Sequence, residues 1–228
     1  TAVDKAESEP QAAARVNADA PGVVAECASE LGAGLIHYST DYVFDGKASS
    51  PYKEDDPTNP QSVYGRTKLD GENAVLNSGA SALILRTAWV YSLHGHNFLK
   101  TMLRLAAVRD ELTIVADQVG SPTSTLALTD ATIRLIEYFV EHDGFPPEVR
   151  GVYHMTCEGE TSWAGFARAI IAASNDSDTR VTDITTADYP TPAARPAYSV
   201  LCGDKLDRVF GIRLPDWEDA LDTCMTGQ

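Results

Sequence analysis

Apolar and polar positions along the chain alternate between two spacings, one typical of amphipathic helices and one typical of short buried strands. Pro21 suits a first helical turn and Gly32 suits a helix end, so the two residues frame the first helix. The predicted elements are, in order, a helix at 21–31, a strand at 35–39, a helix at 63–77, a strand at 83–87, a helix at 97–109, a strand at 112–115, a helix at 126–142 and a strand at 152–156. Strands that alternate with helices in this way predict an α/β fold with a parallel sheet.

The pattern becomes less regular after Gly159. It predicts a helix at 163–173, a Pro-rich loop at 189–196 and two short helices near the end of the chain. We interpret this part as a small second lobe.

Composition and charge argue against several classes of function. The chain carries 33 acidic and 18 basic residues, a formal net charge of −15, which disfavours binding to a nucleic-acid backbone. No apolar run approaches the roughly 20 residues that span a bilayer, so no membrane partner is expected. The four cysteines form no CxxC pair, which gives no sign of a zinc or dithiol site and favours a reducing, cytoplasmic compartment.

Tyr64 and Lys68 are the first candidates for chemistry, because residues four apart share one face of the predicted helix at 63–77. A neighbouring ammonium favours the phenolate and is expected to move the tyrosine pKa toward neutrality. Such a pair is often only a surface contact in which the phenol packs on the lysine stem. Thr40, however, follows the strand at 35–39, at the carboxyl edge where open α/β sheets bind ligands. Its hydroxyl can donate to the same substrate oxygen that Tyr64 protonates.

Six segments carry a family resemblance: TAVDKAE at 1–7, STDYVFDG at 39–46, YGRTKLDGE at 64–72, RTAWVY at 86–91, DQVGSPT at 117–123 and PTPAARP at 190–196. They resemble the dTDP-4-dehydrorhamnose reductase family of extended short-chain dehydrogenases. The resemblance implies a Rossmann-like parallel sheet that lacks its first strands, with a small carboxyl-terminal substrate lobe. Residues 1–158 would form the remainder of the dinucleotide-binding domain with interleaved substrate-lobe segments, and residues 159–228 mainly the sugar-nucleotide lobe.

The resemblance also implies a reaction and roles for individual residues. The reaction is reduction of the C4 ketone of dTDP-4-dehydro-6-deoxy-L-mannose to dTDP-L-rhamnose, with hydride from NADPH or NADH. Tyr64 would protonate the ketone oxygen and also contact the cofactor, and Thr40 would polarise the ketone. Lys68 would hold the nicotinamide ribose and tune Tyr64. Thr1 would lie in a loop that touches the cofactor. The positions matched to sugar contacts are Thr40, Asp41, Tyr42 and Trp89.

Several of these positions also have a purely structural explanation. Trp89 and Tyr42 near a strand end are equally well explained by packing, and Asp41 by the capping of a turn. Arg195 can clamp a diphosphate as a fork-shaped donor, or form only a surface salt bridge. Some family members bind Mg²⁺ through acidic residues, and this sequence offers no matching set. A homodimer is compatible with the resemblance.

The Gly-rich turn that holds a dinucleotide pyrophosphate in this fold is not found. The nearest candidate, Gly32-Ala33-Gly34, precedes a strand and has His37 where a third glycine is required, so it is interpreted as a plain turn. We therefore expect an amino-terminally truncated chain that lacks roughly 60 residues at ordinary element lengths. Such a fragment should bind dinucleotide poorly, be weakly active or inactive alone, and carry no signal for NAD or NADP preference.

Two other functions remain open. A nucleotide-sugar epimerase or 4,6-dehydratase of the same superfamily also uses a tyrosine and a lysine four apart. Those enzymes typically place an acid and then a further acid or lysine after the threonine, whereas this chain has Asp41-Tyr42. A non-catalytic regulatory subunit resembling the methionine adenosyltransferase beta subunit shares the fold and need not reduce anything.

Overall fold

A computed structural model describes residues 2–174 and 178–227 of the chain, and Thr1, an expected cofactor contact, lies outside the described residues. The α-helices are α1 Val3–Ser8, α2 Pro10–Ala14, α3 Ala20–Glu30, α4 Val63–Asn77, α5 Phe98–Ala106, α6 Thr125–Glu141, α7 Trp163–Ser174, α8 Asp204–Phe210 and α9 Trp217–Thr226. The strands are β1 Gly34–Thr40, β2 Ser81–Thr87, β3 Val90–Tyr91, β4 Glu111–Val115, β5 Val119–Gly120, β6 Thr123–Ser124, β7 Gly151–His154, β8 Thr161–Ser162 and β9 Arg180–Ile184. Within the described ranges, no helix is both long and apolar enough to cross a bilayer.

Three parallel strands in the order β1-β2-β7 form the central sheet. Successive side chains of β2 point to opposite faces of the sheet, so this strand contributes side chains to two hydrophobic cores. Leu83 and Leu85 are buried in the larger core with side chains of α5, α6 and α7. Ile84 is buried in a smaller core with Ala25 of α3 and Val75 of α4. Helices therefore cover both faces of the sheet, which explains why β2 is apolar without alternation.

The expected α/β fold with a parallel sheet is confirmed, and the predicted helix at 63–77 matches α4 residue for residue. The alternation of helices and strands implied that the strand predicted at 112–115 continues the central sheet, but it does not. It belongs to β4, which pairs in parallel with β9 as a separate two-stranded sheet. The pattern did not predict β9, because this strand is short, only half-buried and paired to a segment distant in the chain.

The larger core joins both parts of the chain. Leu99 and Met102 of α5 pack in the same cluster as Phe166 and Ile170 of α7. The pairing of β4 with β9 likewise crosses the expected boundary at residue 158, and the division into two domains remains a prediction.

The segment before α3 forms two short helices that the sequence pattern did not predict, α1 and α2, followed by a π-helical turn at Arg15–Asp19. This turn lies directly against α4. A Cβ atom at Gly71 would lie 2.0 Å from the carbonyl oxygen of Asn17, so the absence of a side chain permits the close approach. The Asn17 side chain also donates to the Thr67 hydroxyl at 3.0 Å. The amino-terminal segment thus helps to fix α4, the helix that carries Tyr64 and Lys68.

Candidate active site

Thr40 and Thr87 are the last residues of β1 and β2 and lie opposite each other, so both strands end at one edge of the sheet. Thr40 is buried, and its hydroxyl accepts a hydrogen bond from the Tyr42 backbone at 3.2 Å. The same hydroxyl donates to Asp41 Oδ1 at 3.0 Å. Thr40 thereby caps the 3-10 turn Asp41–Val43, which leaves the sheet at the edge where ligands bind in open α/β folds.

Gly65 allows this turn to lie against the first turn of α4. Ser62 caps that helix by accepting a hydrogen bond from the Gly65 backbone at 3.0 Å. A Cβ atom at position 65 would lie only 2.2 Å from the Tyr42 carbonyl oxygen. The close approach places the Tyr64 ring edge-to-face with the Tyr42 ring, with centroids 5.6 Å apart, and brings the phenol beside Thr40.

The Tyr64 phenol is strongly desolvated. Burial raises its pKa to about 12; the Thr40 hydroxyl beside it opposes the shift and the Asp41 carboxylate adds to it. The direction expected from the sequence was therefore wrong, because the cost of removing a phenolate from water dominates the shift of the Tyr64 pKa. Tyr64 stays protonated at neutral pH, which is the state that a general acid requires before the reaction.

Lys68 lies on the same face of α4 and connects it to β1. Its Nζ donates to the Tyr38 carbonyl oxygen at 2.7 Å. Burial lowers the Lys68 pKa, and the charge of Glu72 opposes that shift. Burial and the Lys68 charge together lower the pKa of His37 to about 4, so this imidazole is neutral near pH 7. An ammonium has three N–H groups, of which the Tyr38 carbonyl takes one.

Glu72 received no role from the sequence, although it ends the YGRTKLDGE segment. It is 1% exposed and accepts hydrogen bonds from Arg86 Nε at 2.9 Å and Arg86 Nη2 at 2.7 Å. The Ser39 hydroxyl donates to the same carboxylate. Because Ser39 precedes Thr40, this buried ion pair links α4, β2 and the end of β1 at the base of the site.

Asp41 is 2% exposed, and burial raises its pKa to about 6 although the Ser199 and Thr40 hydroxyls oppose the shift. Its Oδ2 atom is buried and makes no hydrogen bond of good geometry among the described residues, although the Ser199 hydroxyl lies close enough to lower the Asp41 pKa. A carboxylate oxygen without a partner is costly inside a protein, so the position is held at the expense of stability. Capping of a turn, the structural explanation for an aspartate here, does not account for the unpartnered oxygen.

Arg195 does not lie on a remote surface. Its Nη2 atom is 2.8 Å from Asp4 Oδ2, and its guanidinium carbon is 6.0 Å from the centroid of the Tyr42 ring. Asp4 Oδ1 in turn accepts a hydrogen bond from the Ala193 backbone at 3.1 Å. The Nη1 atom of Arg195 is buried without a partner in the described structure. Asp4, which the sequence did not single out, thus fixes the Pro-rich loop beside Tyr42.

Trp89 follows Thr87 by two residues and is half-buried at the same edge of the sheet. Its φ of 47° lies in the left-handed region, which costs a bulky residue about 1–3 kcal/mol and often marks a functional position. Its indole stacks on that of Trp163, with centroids 3.6 Å apart and planes 5° from parallel. Packing therefore accounts for one face of Trp89. Trp163, which begins α7, was missed because its partner is distant in the sequence.

Within residues 2–174 and 178–227, no group of three or more His, Cys, Asp or Glu side chains is placed to hold a metal ion.

The chain is similar to known proteins over nearly its whole length. A family model described as the RmlD substrate binding domain matches residues 1–228. A dTDP-4-dehydrorhamnose reductase of Sinorhizobium fredii is 50% identical over 223 residues, which cover 96% of this chain and 75% of the relative.

Two crystal structures have the same fold. A dTDP-4-dehydrorhamnose reductase from Clostridium acetobutylicum aligns with a TM-score of 0.92 at 42% identity, over 99% of this chain and 77% of that one. The reductase from Bacillus anthracis in complex with NADP aligns with a TM-score of 0.92 at 35% identity, over 100% of this chain and 78% of that one. The chain therefore belongs to the dTDP-4-dehydrorhamnose reductase family.

Proposed function

We propose that the protein reduces the C4 ketone of dTDP-4-dehydro-6-deoxy-L-mannose to dTDP-L-rhamnose, with NADPH as the hydride donor. The observation that carries the proposal is the position of Tyr64, whose protonated phenol lies beside the Thr40 hydroxyl at the carboxyl edge of β1. Relatives 42–50% identical to this chain are named for this reaction, which supports the choice of substrate.

Proton delivery is the task of Tyr64 and Thr40. As negative charge develops on the ketone oxygen, the Tyr64 phenol donates its proton to that oxygen. The Thr40 hydroxyl, which donates to Asp41 in the described structure, rotates to donate to the same oxygen. The raised pKa of Tyr64 favours return of the proton to the phenol after the reaction.

Lys68 is the residue suited to hold the cofactor. NADPH supplies the hydride when bound. The two N–H groups of Lys68 that the Tyr38 carbonyl does not take can donate to ribose hydroxyls, and the bond to Tyr38 fixes the direction of the ammonium. The Bacillus anthracis relative is in complex with NADP, which supports NADP as the cofactor. Thr1 stays a candidate for the cofactor loop.

The remaining candidates suit the sugar nucleotide. A sugar hydroxyl can supply the partner that Asp41 Oδ2 lacks, and the ring of Tyr42 lies near both Tyr64 and Arg195. A diphosphate oxygen can accept from Arg195 Nη1, while Asp4 keeps Nη2 in place. Trp89 offers the indole face that Trp163 does not cover. A homodimer and a cytoplasmic location remain predictions.

The test is the full-length protein with dTDP-4-dehydro-6-deoxy-L-mannose and NADPH, with NADH in a parallel reaction. We expect consumption of NADPH in equal amount to the dTDP-L-rhamnose formed, measured by absorbance and by NMR of the product. Loss of water or inversion at a sugar carbon without net oxidation of NADPH would instead assign an epimerase or dehydratase. Tight association with a synthetase partner and no reduction would assign a regulatory subunit.

A further inference from the structure

We propose that Trp163 is a positioning residue for sugar binding, whose indole holds Trp89 at the edge of the active site in its left-handed conformation. The proposal rests on the proposed function, because only a sugar-nucleotide substrate gives Trp89 a sugar to contact. Trp163 itself would touch Trp89 and leave the sugar to it. Trp163 belongs to the carboxyl-terminal part of the chain, and no motif of the sequence indicated a role for it.

The backbone of Trp89 needs support from outside its own segment. A tryptophan rarely adopts a positive φ, and an isolated loop with φ of 47° at this position would relax. The Thr123 backbone donates to the Trp89 carbonyl oxygen at 3.2 Å, which restrains the peptide. Only a contact with the indole can restrain the side chain as well.

Two short strands supply that contact. β5 and β8 pair in antiparallel register, with Gly120 opposite Thr161 and Val119 opposite Ser162. Gly120 lies against the Trp89 indole, since a Cβ atom there would be 2.5 Å from Trp89 Cε2. The residue after β8 is Trp163. The same pairing therefore places a glycine and a tryptophan in contact with the Trp89 ring.

Trp163 is itself fixed from behind. Its ring lies 4.6 Å from that of Phe98, centroid to centroid, and Phe98 stacks on Phe166 at 5.6 Å. Phe166 is fully buried in the larger core, whereas both stacked indoles are half-buried. The aromatic series thus connects the core to Trp89, and the Trp89–Trp163 pair lies where it meets solvent.

The pair carries a specific spectroscopic signature. Two indoles in face-to-face contact couple excitonically and give paired bands of opposite sign in the circular dichroism spectrum. The chain has three tryptophans, and Trp217 packs on Phe166 with centroids 6.0 Å apart and planes at 88°. The paired bands should therefore come from Trp89 and Trp163, and Trp217→Phe is a matched control.

The experiment compares Trp163→Phe, Trp163→Leu and Trp217→Phe with wild type in the full-length protein. We expect the paired bands to disappear in both Trp163 variants and to persist in Trp217→Phe. In steady-state reduction, Trp163→Leu should raise KM for the sugar nucleotide about three- to tenfold, the range for loss of one aromatic pair. KM for NADPH and kcat should stay close to wild type, and Trp163→Phe should recover most of the lost affinity.

Paired bands that survive in Trp163→Phe would overturn the proposed stack. An unchanged KM for the sugar nucleotide in Trp163→Leu would overturn the positioning role, as would an equal fall in kcat with both substrates. If wild type shows no reductase activity, the proposed function fails separately. Titration with dTDP-L-rhamnose then tests the role of Trp163. If Trp163 positions Trp89, Trp163→Leu should bind this ligand more weakly than Trp217→Phe does.

Discussion

Glu72 accepts two hydrogen bonds from Arg86, at 2.9 Å and 2.7 Å, one helical turn after Lys68 and out of contact with water. The pair joins the helix that carries Tyr64 to the strand beside β1. The Ser39 hydroxyl donates to the same carboxylate. Because Ser39 directly precedes Thr40, Glu72 also fixes the end of β1. The Glu72–Arg86 ion pair therefore helps to fix the distance between the Tyr64 and Thr40 side chains, and it can do so without contact with the substrate.

Removal of one charge from this pair should be costly. Glu72→Gln leaves the Arg86 guanidinium buried without a counter-charge, so we expect a loss of about 3–5 kcal/mol in the free energy of unfolding. Urea unfolding is the measurement. Glu111→Gln is the control, because its 3.2 Å ion pair with Arg180 lies on the solvent-exposed surface, where such pairs contribute little to stability. Equal losses in the two variants would contradict a structural role for the buried pair.

Gly65→Ala tests the contact between α4 and the turn after β1. Inside a helix this change ordinarily stabilises by about 1 kcal/mol. Here the new Cβ atom would lie 2.2 Å from the Tyr42 carbonyl oxygen, and such overpacking costs about 1–3 kcal/mol. We therefore expect net destabilisation in urea unfolding, and a lower kcat because the turn moves Thr40 away from Tyr64.

Gly203→Ala is the matched control for this prediction. Its Cβ atom would meet only the end of the Glu158 side chain, at 3.3 Å, which can move aside. An alanine at position 65 that leaves stability and kcat at the control's level would show that the close approach is unimportant.

Asp41 should give the stability of the protein a distinctive pH dependence. Its pKa is raised by burial from 3.8 to about 6, so between these values the folded protein keeps a proton that the unfolded chain has lost. Its contribution to stability therefore falls as the pH rises through this window. Asp41→Asn removes the charge. We therefore expect the free energy of unfolding of the variant, relative to that of wild type, to rise by up to about 2–3 kcal/mol between roughly pH 4 and pH 8.

Urea unfolding across this pH range measures the effect, and Asp45→Asn provides a control of opposite sign. The Asp45 pKa is lowered, mainly by the hydrogen bond from the Tyr52 hydroxyl. Ionised Asp45 therefore stabilises the folded protein at pH values above the pKa of the unfolded chain, and this contribution is lost as the pH falls. A difference between Asp41→Asn and wild type that does not change with pH would contradict the buried charge.

The sequence predicted those parts of the site that depend on local pattern. The helix that carries Tyr64 and Lys68 follows the helix-compatible pattern of small, apolar and charged residues at 63–77, and Thr40 follows an apolar run that ends at the ligand-binding edge. The parallel register of β1 with β2 places Thr40 opposite Thr87 at that edge. The match to family segments indicated the substrate.

Tertiary contacts explain what the sequence did not predict. The ion pair of Asp4 with Arg195 and the stack of Trp89 on Trp163 each join residues far apart in the chain, and no local period marks such partners. The direction of the Tyr64 pKa shift depends on burial, which a helical spacing does not reveal.

The central claim is that Tyr64 donates the proton in reduction of the ketone, and Tyr64→Phe tests it most directly. In the full-length protein with dTDP-4-dehydro-6-deoxy-L-mannose and NADPH, we predict that kcat falls at least about a hundredfold, as expected for loss of a general acid. NADPH affinity should be retained, because Lys68 is unchanged. The control is Tyr138→Phe, which removes a phenol hydroxyl near the carboxyl end of α6. A kcat for Tyr64→Phe that matches this control would contradict the account.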